Sequence, residues 1–213
     1  MATSADDAGT GAGNVGVIRL RAPFDEATAR SLHVGDQVVI DGIIWGIRDA
    51  TLIRIFDRDR EPPANLTGAV LLHVAPSVRK RDDGGYDPVS VGTTTSTRMD
   101  RFTRGCLEEL GARAIVGKGG LSQESLEHLR QIGGVYLTVV GGAASPETLQ
   151  VEAIEEVIWE DLMPECLWKF RVRDFGPLFV TMDSHGSSTY QDVRDQAARN
   201  LDAAYARLGL TQG

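Results

Sequence analysis

The sequence predicts an α/β domain with a β-rich first part and β-α units after it. Three observations carry this. The first fifty residues hold alternating, β-branched runs separated by turn signals, which read as antiparallel strands. From Ala69 onward, apolar runs of strand length alternate with helical stretches. No repeat of fixed period and no strong linker divides the chain, which argues for one layered domain over a sandwich or a bundle.

The elements follow in order. Residues 1–14 are small and polar and are expected to form a floppy tail. Residues 15–20 (VGVIRL) alternate as a strand, and 25–32 are a short helix candidate. A turn at 34–36 leads into a strand at 37–40. Asp41-Gly42 is a hairpin signal before a strand at 43–47. A short helix over 51–56 is stopped by the charged run 57–61 and by Pro62-Pro63. The run 69–74 (AVLLHV) is a buried strand, 79–86 (RKRDDGGY) a hairpin loop, and 89–91 a returning strand. A helix over 98–110 ends at Gly111 in the C′ position. Strand 114–116, helix 122–132 capped by Ser122, and strand 135–140 make β-α units. Strands at 153–158, 169–172 and 178–182 precede a turn at 183–186 and a charged helix over 191–208. The domain is therefore expected over 15–190, with 191–213 as a C-terminal helix.

Composition narrows the function classes. The chain has 213 residues, with 22 Lys and Arg against 30 Asp and Glu, a formal charge of −8. That excess of acid argues against a general nucleic-acid binder. At 42% hydrophobic it can bury a core, and no apolar run reaches the roughly 20 residues that span a bilayer. The first fourteen residues have neither the basic nor the apolar region of a signal peptide, so a cytoplasmic protein is expected. Cys106 and Cys166 are too few for a disulfide framework or for a zinc or iron–sulfur centre. The four histidines form no HxxxH or HExxH pattern, so no metal site is expected in this chain.

Four stretches could carry chemistry. GTTTS at 92–96 precedes a helix, where hydroxyls and free N–H groups either bind an anion or merely cap the helix. Arg98, one turn in, adds a fork suited to a carboxylate. Lys118 sits among glycines in VGKGG, which lacks the Walker spacing and reads as either a ligand loop or an exposed turn. Arg48 ends an apolar strand, free to reach into a cleft or to pair with Asp49. The GGAA run at 141–144 permits tight packing or a backbone contact to a ligand. Three cations at strand or helix ends, Arg48, Arg98 and Lys118, would hold a small dianion such as a dicarboxylate if they converge.

These segments resemble the β subunit, or C-terminal domain, of the class I iron–sulfur fumarase and L(+)-tartrate dehydratase family. GTTTSTRMD is similar to that family's GPTTSxRMD, with VGKGG following at the family's distance. GDQVVIDGIIWGIRDATLIRI upstream, then GGAA, EVIWEDLMPECLW and FGPLFVTMDSHGSS downstream, continue the match in order over 34–190. VSVG, VGKGG, LMPECLW and FGPL with DSHG lean toward tartrate dehydratase. The resemblance implies a swivelling β/β/α domain of three layers. It implies a hydro-lyase that reversibly removes water from a 2-hydroxy dicarboxylate. Its [4Fe–4S] cluster would be held by an α subunit, so this chain would be active only in a hetero-oligomer, with αβ pairs that can dimerise. It assigns Arg48, Arg98 and Lys118 to substrate binding and Thr94 to proton abstraction. Two departures stand out. Thr93 replaces the usual proline before Thr94, and Leu52 stands where the family's RDxxH has histidine. They keep two alternatives open: a fumarate/malate hydratase β subunit, and a non-catalytic dicarboxylate-binding homologue.

Overall fold

The structure, a computed structural model, describes residues 16–62, 64–139 and 144–209. Its elements are β1 (Ile18–Ala22), α1 (Glu26–Arg30), β2 (Gln37–Ile47), α2 (Asp49–Leu52), β3 (Val70–His73), β4 (Ser77–Lys80), β5 (Tyr86–Ser90), α3 (Thr103–Glu108), β6 (Ala114–Gly117), α4 (Gln123–Ile132), β7 (Val135–Thr138), α5 (Ala144–Leu149), β8 (Val151–Ile158), β9 (Leu167–Met182) and α6 (Thr189–Leu208).

The main sheet is mixed and closes on itself. β2 pairs parallel with β3, β3 with β6 and β6 with β7; β7 then pairs antiparallel with β9, and β9 returns antiparallel to β2. β1 adds to the first half of β2, and β8 to the first half of β9. β4 and β5 form a separate hairpin.

Strand periodicity explains the two cores. Val38, Ile40, Ile44, Val70, Leu72, Val116, Leu137, Trp168, Phe170 and Val180 meet in one cluster inside the closed sheet. Their alternates Trp45, Ile47, Leu71, Ile115, Tyr136 and Met182 pack outward against Leu52, Phe102, Leu107, Leu126 and Leu129 from the helical segments. The α/β class expected from the sequence is therefore present as a sheet-rich core with helices laid on it.

Several sequence-based expectations are corrected. The first strands are not antiparallel: β1 and β2 pair in parallel, with α1 as their crossover. Asp41-Gly42 makes no hairpin, because β2 runs unbroken through it. Gly42 has φ +107°, and a Cβ there would lie 2.3 Å from the Ala22 carbonyl oxygen, so glycine serves a close strand approach. Asp41 is likewise used along the strand, accepting from Arg19 and from the Asp174 N–H. The two strands expected at 169–172 and 178–182 are one, β9. At Gly176, beyond the last β8 pairing at Val172, the Gln150 side chain stands in for a partner strand, donating to the Gly176 carbonyl and accepting from its N–H. The expected helix 98–110 begins as a 3₁₀ turn over Ser96–Phe102 before α3. The helix expected at 51–56 is α2 continued by a π turn over Ile53–Asp57. The tail at 1–14 and residues 141–143 of GGAA lie outside the described residues.

One consequence of this topology positions the site. β2, β3, β6 and β7 are parallel where they pair, so their C-terminal ends share one edge, the edge at which open α/β sheets bind ligands. Arg48, Val74 and Lys118 follow the ends of β2, β3 and β6.

Candidate functional site

The hydroxyl-rich segment crosses this edge and is pinned by its backbone. Thr93 bridges Val74, the Thr94 N–H donates to the His73 carbonyl at 2.8 Å, and the Ser96 N–H donates to the Lys118 carbonyl at 2.9 Å. Thr95 bridges Lys118 in parallel. The segment thus links the ends of β3 and β6, with Thr94 at the first tie and Arg98 just past the second.

The hydroxyls do not cap the helix that follows. Thr95 occupies the N-cap without a side-chain hydrogen bond. Ser96 Oγ instead lies 2.9 Å from His73 Nδ1, fully buried, and Thr97 Oγ1 donates to the Gly120 carbonyl. Gly117 makes room for this, since a Cβ there would stand 1.8 Å from Ser96 Oγ. Burial pushes the His73 imidazole down to about 4, against the pull of nearby Asp49.

Arg48 and Arg98 converge. Arg48 Nε lies 3.2 Å from Asp49 Oδ2 and 3.3 Å from Glu165 Oε1. Arg98 Nη2 donates to the same Asp49 oxygen at 2.9 Å. One carboxylate oxygen therefore joins two guanidiniums from separate elements. Glu165 fixes the start of α2 as well, with Oε2 accepting from the Ala50 N–H at 2.7 Å and its carbonyl from Thr51 Oγ1 at 2.6 Å. Arg48 is mostly covered, whereas the Arg98 side chain is 52% exposed. Lys118 is exposed and makes no ion pair among the described residues; its backbone, but not its ammonium, is tied to the segment that carries Arg98. Thr94 is half-buried.

The rest of the RMD turn is structural. Met99 is in the helix-side core. Asp100 Oδ1 accepts from the Ser122 N–H and from Ser125 Oγ, both at 2.8 Å, clamping this turn to the start of α4. Leu52 is fully buried in the same core. Wider clefts, such as one of about 470 Å³ between Ile55, Glu61, Leu66 and Leu110, are lined by other residues. The site is an open strip along the strand ends.

Reasoning on the sequence alone missed Glu165, His73, Ser96 and Asp100. Glu165 lies inside LMPECLW, a stretch that matched the family without a role. The buried His73–Ser96 pair has no sequence signal, because its partners are 23 positions apart. The cysteines do not fit a cluster. Cys166 lies in the inner core and Cys106 in the outer one, and burial pushes their thiols up to about 11 and about 12.

Comparisons with known proteins give the family of the chain. A model of the fumarase C-terminus family matches residues 3–193. The β subunit of L(+)-tartrate dehydratase from Escherichia coli K12 is 36% identical over 184 residues, 86% of this chain and 91% of its own. A Geobacillus stearothermophilus protein named "Putative fumarate hydratase class I" is 40% identical over 87% of this chain, which spans only 36% of that longer protein. A Methanocaldococcus jannaschii protein named "Putative L(+)-tartrate dehydratase subunit beta" is 35% identical over 81% of this chain and 91% of its own. The chain belongs to the fumarase C-terminus family.

Proposed function

We propose that this chain is the β subunit of a hydro-lyase that removes water from a 2-hydroxy dicarboxylate, of the tartrate dehydratase type, with its closed sheet serving as a swivelling β/β/α module. The observation that carries the reading is the convergence of Arg48 and Arg98 on one Asp49 oxygen at the edge where Thr94 and Lys118 also sit. Asp49 already occupies the position of a carboxylate between two guanidinium forks. A substrate carboxylate arriving beside it meets the remaining donors of Arg98, with Lys118 as a point charge for the second carboxylate. As the α-proton leaves, negative charge builds on the carboxylate these cations hold, and they stabilise it without reorganising. Thr94 takes part in moving that proton, and its hydroxyl needs an acceptor behind it to do so. The [4Fe–4S] cluster, a Lewis acid for the departing hydroxyl, belongs in this reading to a cytoplasmic α subunit, since the buried thiols here offer it no ligands.

The test is anaerobic co-expression with an α subunit bearing three cluster cysteines, followed by a panel of L- and meso-tartrate, malate, fumarate and mesaconate. Arg98→Ala should lower kcat/KM by at least about 100-fold, the scale of losing a charge-stabilising donor; an unchanged rate refutes the assigned role. The fumarate/malate reading is favoured by the 40% identity to the Geobacillus protein, and exclusive turnover of those two acids selects it. A complex that binds dicarboxylates and turns over none of them is the non-catalytic homologue.

A further inference from the structure

Glu147 is buried in α5 with 3% of its surface exposed, and among the described residues neither carboxyl oxygen has a hydrogen-bond partner. Such a group carries a full desolvation cost when ionised, so it stands out as a place where structure is held against stability. Its neighbours are informative. α5 packs on β5 and β8. Thr148 Oγ1 accepts from the Val91 N–H at 2.8 Å, and the Thr93 N–H faces the Glu147 carboxyl.

We propose that Glu147 is a positioning residue for the hydroxyl segment: its ionised carboxylate draws in the Thr93 N–H more strongly than its neutral carboxyl does, and thereby adjusts Thr94 within the backbone bridge that ties the segment to β3. The backbone supports this geometry. The Thr94 N–H already points at β3, so the Thr93 N–H points away from that strand. An ionised carboxylate at this depth must recruit a donor, and Thr93 supplies the one that faces it. Burial raises the Glu147 carboxyl to about 7, with the Thr93 N–H opposing the rise, so the change falls near neutral pH.

Charged groups on the elements packed against α5 are engaged elsewhere. On β5, Asp87 pairs with Arg79 and Arg81. On β8, Glu152 pairs with Arg173, Glu155 with Lys169 and Arg171, and Glu156 with Lys169. The Glu147 shift comes from burial and Thr93 and not from any of them.

The catalytic consequence rests on the hydro-lyase reading, but the physical claim does not, so the two can fail separately. Amide exchange of the full chain, corrected for the intrinsic effect of pH, is read at Thr93 between pH 5.5 and 8.5. Protection should rise by about 10-fold or more across a midpoint near 7, the scale of gaining one charge-assisted hydrogen bond, and stay flat in Glu147→Gln. Should that variant not fold, ¹³C-carboxyl titration of Glu147 in the unmodified chain should share its midpoint with the Thr93 amide shift. A Thr93 amide that does not respond while Glu147 titrates overturns the proposal. If the reconstituted complex is active, the same midpoint should appear in kcat and not in KM, and Glu147→Gln should remove it.

Discussion

His73 shows how a single buried side chain supports the site and sets a limit on pH. Its ring is 2% exposed and its Nδ1 meets Ser96 Oγ, so it holds the hydroxyl segment from beneath. Burial lowers its proton affinity to about 4, below the ordinary 6.5, so the folded chain keeps it neutral. The unfolded chain binds the proton first on acidification. The stability His73 confers is therefore complete above pH 6.5 and is lost as pH falls toward 4, by about 3 kcal/mol at most. His73→Gln keeps a hydrogen-bonding group and removes the titration. Denaturant unfolding at pH 7.5 and 4.5 should show the unmodified chain losing more stability than the variant. Equal losses in both would remove this account of His73. At this scale the sequence is readable for cations and poorly readable for their partners. Arg48, Arg98 and Lys118 are conspicuous in an acidic chain. Glu165 is one of 30 carboxylates, and nothing local marks it as the one that returns across 115 positions to the start of α2.

Among the elements, the RMD turn connects packing to chemistry. Arg98 projects into the site, Met99 is core, and Asp100 binds the turn to α4 through Ser122 and Ser125. Asp100→Ala leaves two donors without that acceptor and should cost about 1–3 kcal/mol, seen as a lower denaturant midpoint at unchanged slope. Because Arg98 stands on the same turn, the variant should also weaken dicarboxylate binding; a stability loss with unaltered binding would separate the clamp from the site. β3, β6, β7 and α4 are legible in sequence because each is a short apolar run or a capped amphipathic stretch flanked by its own stop signals. β2 and β9 are not. Asp41-Gly42 and Gly176-Pro177 have the composition of turns, yet here they serve a close strand approach and a change of strand partner, both imposed by strands distant in sequence. The ring closure between β2 and β9 is likewise a pairing across more than 120 positions, which no local pattern encodes.

For the molecule as a whole, the edge that bears the site is open. Thr95, Thr97, Arg98, Lys118 and Gly119 are exposed there. A pair of guanidiniums, an ammonium and a hydroxyl bind a dicarboxylate but do not remove its hydroxyl group, so in the proposed function the missing half arrives from another chain and must cover this edge. That places a measurable constraint on the complex. Adding the α subunit should slow amide exchange across residues 94–98 and 117–120 and leave β1 and α1, on the far part of β2, unaffected. It should also raise the unfolding temperature of this chain by mass action, by about 2.7 kcal/mol of stabilisation when the partner is at a hundred times its Kd. Protection that falls on β1 and α1 instead would put the interface on the opposite end of the strands, too far for a partner's cluster to act on a substrate gripped by Arg48 and Arg98. Stabilisation with no change at either end would mean that the partner docks on the helix-side face, and the site would then have to be complete within this chain, which its open, one-sided array of cations is not built to be.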